Sequence, residues 1–247
     1  MPKASVVILS HRPAMLPEAL ASALAQTEAD IQIAVQYCRE AWGEKLNAMV
    51  NVTIAPHVVI LCDDDLIAPT FVEECLKVMA KGADIVYTDQ YVFADGQAPS
   101  DGHHFRIHGD QFSDDQCYWM QHKPEDFRMG VSLPMTCMIR RTWWNRMVGY
   151  DPEMPHADTE FWYRSVLNGA RTAYIPKPLF WYREHPEQLS KTNDMMQPAL
   201  RAFHIKHFQQ FGCIPNTAVF GPDRVVGIRV VPPEQRLAYA ATHDLTT

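Results

Sequence analysis

The sequence predicts an α/β protein with a mostly parallel central sheet and helices on both faces. Short β-branched runs alternate with amphipathic segments from Ser5 to Phe93, the pattern of strand–helix–strand units. The run Val58-Val59-Ile60-Leu61-Cys62 is apolar without interruption, as strands buried on both faces tend to be. Proline near helix starts and glycine at a helix stop punctuate the same stretch.

In chain order, residues 5–10 read as the first buried strand. Leu16, Ala19, Leu20, Ala23 and Leu24 recur at helical spacing, so a helix spans 16–26, with Pro17 in its first turn, where the missing N–H costs little. A strand at 31–35, a short helix at 44–51 and the strand at 58–62 follow. The helix at 69–81 has Glu73 and Glu74 early, Lys77 and Lys81 late and Gly82 as its stop, in accord with the helix dipole. A strand spans 84–93. From 94 to 130 the periodicity fades into a stretch rich in Gly, Asp, His and Gln, and so long a loop region is more often functional than idle. Beyond it come a strand at 134–140, helices at 142–148 and 158–168, short strands at 173–175 and 179–182, a helix at 198–211 stopped by Gly212, a last strand at 225–231 and a loose tail.

The 247 residues carry 22 Lys and Arg against 29 Asp and Glu, a formal charge of −7. An apolar fraction of 47% and a charged fraction of 21% exclude disorder. No apolar run reaches the roughly 18–20 residues of a membrane span, and the acidic balance argues against non-specific binding to nucleic acid or an anionic membrane. Val6-Val7-Ile8-Leu9 is too short for a signal-peptide core and is interrupted by His11, Arg12 and Pro13, so a cytoplasmic protein is expected. The six cysteines are irregularly spaced, without C-x-x-C, and read as reduced and mostly buried.

The sharpest local feature is Asp63-Asp64-Asp65, directly after an apolar strand. Three adjacent carboxylates repel one another, and no basic residue close by in sequence relieves them. In open α/β sheets ligands bind at the carboxyl ends of strands, where acids suit Mg²⁺ or Mn²⁺ and, through it, a substrate's phosphates. The competing reading is a solvated turn or a cap for the following helix.

The surroundings favour the first reading, because the chain resembles the inverting glycosyltransferases of family 2, which have the GT-A fold of nucleotide-diphospho-sugar transferases. Ser5-Val6-Val7-Ile8-Leu9-Ser10-His11-Arg12-Pro13 and the helix ending Leu24-Ala25-Gln26-Thr27 resemble the family's first strand and helix. Gly43-Glu44-Lys45-Leu46-Asn47-Ala48 is similar to its region near the nucleotide, and Leu61-Cys62-Asp63-Asp64-Asp65 with Pro69 to its D-x-D segment. Ala83-Asp84-Ile85-Val86-Tyr87-Thr88-Asp89 resembles the next strand. Val148-Gly149-Tyr150-Asp151-Pro152, Ala157-Asp158-Thr159-Glu160-Phe161-Trp162-Tyr163-Arg164 and Tyr182-Arg183-Glu184-His185 with Ser190 resemble the catalytic helix region and the closing Tyr-Arg-x-His…Ser motif. The resemblance covers roughly Ser5 to Ser190.

It implies a metal-dependent inverting transferase that moves a sugar from a nucleotide-sugar donor, UDP-sugar by family default, to a hydroxyl acceptor. Asp64 and Asp65 would hold Mn²⁺ or Mg²⁺ and Asp63 the nucleotide, with the register among the three open. His185 would be an additional metal ligand. Ser10, His11, Arg12, Gln36, Lys45, Asn47 and Arg183 would line the donor. Asp158 falls where the family places its general base, a helix cap being the competing role and Glu160 the fallback base. Residues 1–247 would form one domain: 5–93 for the donor, 94–190 for acceptor and catalysis, and 191–247 as C-terminal helix and tail. Trp143, Trp144, Trp162 and Trp181 suit either sugar stacking or core packing, and Tyr182 reads as packing.

Three features depart from the family. Gln36 stands near the place of a base-contacting Asp at the end of the second strand, the first-strand ending Ser10-His11-Arg12 is shorter than usual, and Ala157 replaces the Glu before the catalytic Asp. The alternatives are a nucleotidyltransferase, disfavoured because no glycine-rich basic loop follows the first strand, and a non-catalytic transferase-like domain that binds sugar or a partner. Glycan, protein, lipid-linked sugar and modified nucleobase all stand as acceptors. The absence of an anchor lowers the lipid-linked case, and acidity lowers the nucleic-acid case.

Overall fold

The computed structural model describes residues 1–38, 42–120, 133–154, 157–188, 213–215, 228–230 and 233–243. The first half runs β1 (Ala4–Ser10), α1 (Leu16–Leu24), β2 (Ile31–Tyr37), α2 (Trp42–Val52), β3 (His57–Cys62), β4 (Leu66–Ile67), α3 (Phe71–Met79) and β5 (Ile85–Ala94). Then come β6 (His103–Phe105), β7 (Tyr118–Met120), β8 (Met138–Arg140), α4 (Arg141–Arg146), α5 (Ala157–Leu167), β9 (Thr172–Glu184), β10 (Cys213–Pro215), β11 (Ile228–Val230) and α6 (Arg236–His243).

The main sheet has the order β2-β1-β3-β8-β5-β9-β4, with β6 beside β5 and β7 beside β9. β1 pairs in parallel with β2 and β3, and β5 with β9. β8 is antiparallel to both β3 and β5, so the five long strands all point one way around a three-residue wedge. The short strands β4, β6 and β7 are antiparallel to their neighbours. The mostly parallel sheet is therefore present, with a short reversed strand at its centre. The strand expected at 134–140 shortens to Met138–Arg140. Residues 94–130, read as irregular, contribute β6 and β7 to the sheet, while 121–132 lie outside the described residues.

Alternation of side chains gives the sheet two apolar faces. Val6, Ile8, Val59, Leu61, Val86 and Ile175 pack with Ala19 and Ala23 of α1 and with Phe71, Val72 and Cys75 of α3. Val7, Leu9, Val58, Ile60, Tyr87 and Tyr174 face Leu46 and Met49 of α2, Trp143 and Trp144 of α4, and Phe161 and Trp162 of α5. Helices thus cover both faces, as the apolar strands require. Trp143, Trp144 and Trp162 are buried core residues.

Two local devices set element ends. Thr70 makes no side-chain cap to α3. Instead the buried Gln26, just past α1, accepts the Val72 N–H at 2.9 Å and donates to Ala68 O at 2.9 Å, so one amide satisfies an orphan helix donor and ties two helices. Gly82, at φ +100°, ends the helical stretch of α3, as read from the sequence. The short strands expected at 173–175 and 179–182 are one strand, β9, of 13 residues. Its register with β5 jumps from Thr88↔Ile175 to Gln90↔Phe180, so Pro176, Lys177, Pro178 and Leu179 bulge opposite Asp89. Two prolines without N–H groups explain the gap.

The helix expected at 198–211 lies outside the described residues. Of the expected strand at 225–231, Ile228–Val230 forms β11, paired with β10. The tail is not loose throughout: it carries α6, whose eight residues include Leu237, Ala238, Tyr239 and Ala241. Among the described residues, no helix is long and apolar enough to cross a membrane.

The turn between α4 and α5 holds two consecutive left-handed residues, Val148 at φ +59° and Gly149 at φ +70°. Val148 is β-branched and 82% exposed, so nothing it touches repays that conformation. The turn is gripped from both sides. Arg164 donates to the carbonyls of Met147 and, at 2.8 Å, Gly149, and the Asn47 amide donates to Tyr150 O at 2.7 Å and accepts Tyr150 N–H at 2.9 Å. A Cβ at Gly149 would collide with the Asn47 side chain. Val148→Gly is expected to raise stability by about 1 kcal/mol in urea denaturation, and Gly149→Ala to lower it by at least about as much.

Candidate active site at the carboxyl edge of the sheet

The carboxyl ends of β1, β2 and β3 lie side by side, with Leu9 in register with both Gln36 and Cys62. The acid triplet emerges here, and its three members do different things. Asp63 is 1% exposed. Its Oδ2 accepts from Ser10 Oγ at 3.0 Å, from the His11 N–H at 2.8 Å and from the Arg12 N–H, while Arg12 Nη1 lies 3.3 Å from Oδ1. It thereby fixes the turn that leaves β1. Asp64 Oδ2 lies 3.0 Å from Arg12 Nη1 and 3.1 Å from His185 Nε2. Asp65 accepts the Arg183 N–H at 3.0 Å. Burial and then the Asp64 charge push the Asp65 carboxyl well above the usual carboxylate range, against the pull of Arg183.

The bases missing near the triplet in sequence thus come from the two ends of the fold. Arg12 also donates to Glu187 O at 3.2 Å, joining the β1 turn to the end of β9. Arg183 is 3% exposed and fully engaged. Its Nε donates to Asp64 O at 2.9 Å, Nη1 to Asp95 at 3.1 Å and Nη2 to Glu18 at 2.6 Å. Burial opposes its charge, yet the Glu18 and Asp95 carboxylates hold its pKa above the ordinary guanidinium value. His185 is buried at 3%, and Nδ1 has no hydrogen-bond partner among the described residues. Cys62 Sγ and the carboxylates of Asp64 and Asp65 offer ligand atoms within 4.8 Å of one another.

Asp158 sits one residue inside α5, in its first turn, rather than ahead of the helix as a cap. It is half-buried. Burial raises the pKa of Cys62, Cys137 and Tyr150, and in each the Asp158 charge adds to the effect, so its field reaches the end of β3 that leads into the triplet. Glu160 is fully buried, and both its oxygens bind Arg164 at 2.8 Å, so its carboxylate is taken up by the ion pair that grips the 147–150 turn. Ala157 is 1% exposed and lies in the core cluster that includes Leu46 and Phe161, where a glutamate would be a buried charge.

The other expected donor residues divide. Gln36 is half-buried at the end of β2, beside the exposed Tyr37. Lys45 is exposed on α2. Asn47 spends its amide on Tyr150.

Sequence reading missed a second polar centre. Asp89, fully buried on β5 opposite the β9 bulge, receives His104 Nε2 at 2.8 Å, the Ile107 N–H at 2.9 Å and the Tyr174 hydroxyl. Tyr87 meets His108 Nε2 at 2.7 Å nearby. The available signal was a carboxylate inside a buried strand, Ile85-Val86-Tyr87-Thr88-Asp89.

A sheet of this order, with helices on both faces and acids at its carboxyl edge, is the fold of the GT-A glycosyltransferases. S. aureus TarS in complex with UDP-GlcNAc superposes with a TM-score of 0.60 at 12% identity, covering 83% of this chain and 66% of that one. The structure of TarS 1–349 with UDP gives 0.59 at 12% identity over 83% and 65%. The mannosyltransferase PcManGT from Pyrobaculum calidifontis, in complex with GDP-Man and Mn²⁺, gives 0.58 at 11% identity over 99% of this chain and 70% of that one. The chain spans about two thirds of the length of these TarS structures. Residues 5–197 match the model of the family described as glycosyltransferase like family 2, and the chain belongs to that family of enzymes. No curated protein sequence matches it.

Asp63 carries the turn after β1, so Asp63→Ala leaves the Ser10 hydroxyl and two backbone N–H groups without their acceptor and removes one carboxylate partner of Arg12. A loss of about 3 kcal/mol or more is expected in urea denaturation, against under about 1 kcal/mol for Lys45→Ala on the exposed side of α2.

Proposed function

We propose that the chain transfers a sugar from a nucleotide-sugar donor to a hydroxyl acceptor with inversion, in a cleft at the carboxyl edge of the sheet, with a divalent cation, Mn²⁺ or Mg²⁺, at Asp64 and Asp65. The observation that carries this reading is the meeting at the β3 terminus of the acid pair and the buried His185, drawn from distant parts of the chain, with the Asp158 charge felt at Cys62 beside them. Asp64 and Asp65 offer such an ion two carboxylates whose oxygens lie within 4.8 Å of each other, and the His185 imidazole touches Asp64. TarS with UDP-GlcNAc and PcManGT with GDP-Man and Mn²⁺ are consistent with it.

In this proposal residues 5–93 hold the donor, 94–190 shape the acceptor site and complete catalysis, and 191–247 follow as C-terminal helix and tail. Asp63 and Arg183 act as positioning residues, because their polar atoms are spent on the β1 turn and on the triplet. Asn47 positions Tyr150 and the strained turn before α5. Arg12, bridging Asp63 and Asp64, presents the guanidinium nearest the expected diphosphate, and Ser10 and His11 shape the turn beside it. Gln36 offers a neutral amide to the nucleobase, with Tyr37 exposed alongside. A cytoplasmic setting agrees with the free thiols of Cys38, Cys62, Cys75, Cys117 and Cys137.

Asp158 is the general base. Its carboxylate accepts the proton of the acceptor hydroxyl as that oxygen bonds to the anomeric carbon from the face opposite the diphosphate. The anomeric carbon–oxygen bond to the diphosphate breaks in the same displacement, and its electron pair leaves with the nucleoside diphosphate. The bound cation would stabilise the charge that gathers there. The non-catalytic alternative keeps the same cleft without turnover.

Thermal denaturation with a panel of nucleotide sugars, with and without Mn²⁺, tests donor binding. One donor should raise the midpoint in a metal-dependent way, and no shift with any of them would overturn the reading. Asp158→Asn should reduce donor turnover by at least about 10²-fold with donor affinity nearly unchanged. Wild-type turnover in that variant would remove Asp158 as base.

A further inference from the structure

The donor set at the triplet includes an atom that oxygen-loving cations do not need. Cys62, the last residue of β3, places Sγ within 4.8 Å of the Asp64 and Asp65 carboxylates. Ligands of a single ion with bonds of about 2.0–2.5 Å lie no more than about 5 Å apart, so the three atoms can share one centre. The sulfur also lies 3.2 Å from the thioether of Met135, itself half-buried, so two soft atoms stand together beside the carboxylates. Mg²⁺ demands an octahedron of oxygens, whereas thiolate favours later and softer divalent ions.

We propose that Cys62 is a protein ligand of the triplet's cation site, which therefore binds thiophilic divalent ions such as Co²⁺ and Zn²⁺ through a metal–sulfur bond and prefers them to Mg²⁺. Coordination forms the metal–sulfur bond, releases the thiol proton to solvent and changes no oxidation state. The inference rests on the reading that Asp64 and Asp65 hold a cation.

The test uses the full chain titrated with Co²⁺ and followed by near-ultraviolet absorbance for a thiolate-to-cobalt charge-transfer band, with bound Mn²⁺ counted in parallel by electron paramagnetic resonance. The expected result is a band that saturates as Co²⁺ displaces Mn²⁺. Cys62→Ser should lose the band and bind Co²⁺ at least about tenfold more weakly, since loss of a direct ligand should cost no less than the loss of a residue that only orients one. Retained Mn²⁺ binding by Cys62→Ser shows that the variant is folded. Two results overturn the inference alone: displacement of Mn²⁺ by Co²⁺ without a band, or a band that persists in Cys62→Ser. If neither ion binds the wild-type chain, the inference falls together with the cation reading beneath it.

Discussion

Three consecutive carboxylates at the mouth of β3 are the constraint on which the rest of this edge depends. Two unit charges about 5 Å apart repel by about 3 kcal/mol at the effective dielectric of a protein near its surface, and the triplet is mostly buried. The fold answers with Arg12 from the first turn and with Arg183 and His185 from the end of β9. Each acid has different partners: Asp63 accepts N–H and O–H donors and meets the Arg12 guanidinium, Asp64 meets Arg12 and His185, and Asp65 accepts one backbone N–H. The arrangement forces β1, β3 and β9 to end at a common place, although β3 and β9 are separated in the sheet by β8 and β5.

The β8 wedge serves the same convergence from the other face. By pairing antiparallel with both β3 and β5, it runs straight into α4 and the 147–150 turn. That turn is then clamped by Asn47 from α2 and by Arg164 from α5. Glu160 holds Arg164 in place, so the buried ion pair is joined to the strained backbone and not an isolated stabiliser. The start of α5, and Asp158 with it, is thereby tied to the helix that packs on β1. The catalytic proposal needs this kind of rigidity, since a base displaced by an ångström loses its proton-transfer geometry.

Much of this was legible in the chain before folding. Strand and helix periods, Gly82 as a stop and the apolar run into the triplet are local signals, and they survive in β1, β3, α3 and the edge they build. Ion partners are not local. Arg183 and Arg12 meet the triplet across sequence separations of 118 and 51 residues, and no spacing rule connects them. For the same reason Asn47, Arg183 and Glu160 read as donor or catalytic groups, while the structure gives their side chains hydrogen-bond and ion-pair partners within the chain. The direction of β8 and the role of Asp89 escaped because three-residue strands carry no period, and a single carboxylate in an apolar run has no visible partner until His104 and Tyr174 arrive.

The departures at Gln36 and Ala157 take on a physical sense once the charge of the cleft is considered. Asp63, Asp64, Asp65 and Asp158 crowd one edge, and Arg183 divides its guanidinium between Glu18 and Asp95 outside the triplet. Arg12 is then the chief permanent cation in direct contact with the acids. A carboxylate at position 36, in register with Leu9 and one strand from Cys62, would add repulsion where little positive charge is left to absorb it. At 157 the side chain lies within the apolar core, so a glutamate would need a partner that Arg164, already held by Glu160, does not supply. Neutral residues at both places leave the remaining negative potential concentrated on Asp64, Asp65 and Asp158. That is where the proposed divalent cation would be drawn, so under the proposed function the two departures read as charge adjustment around the centre.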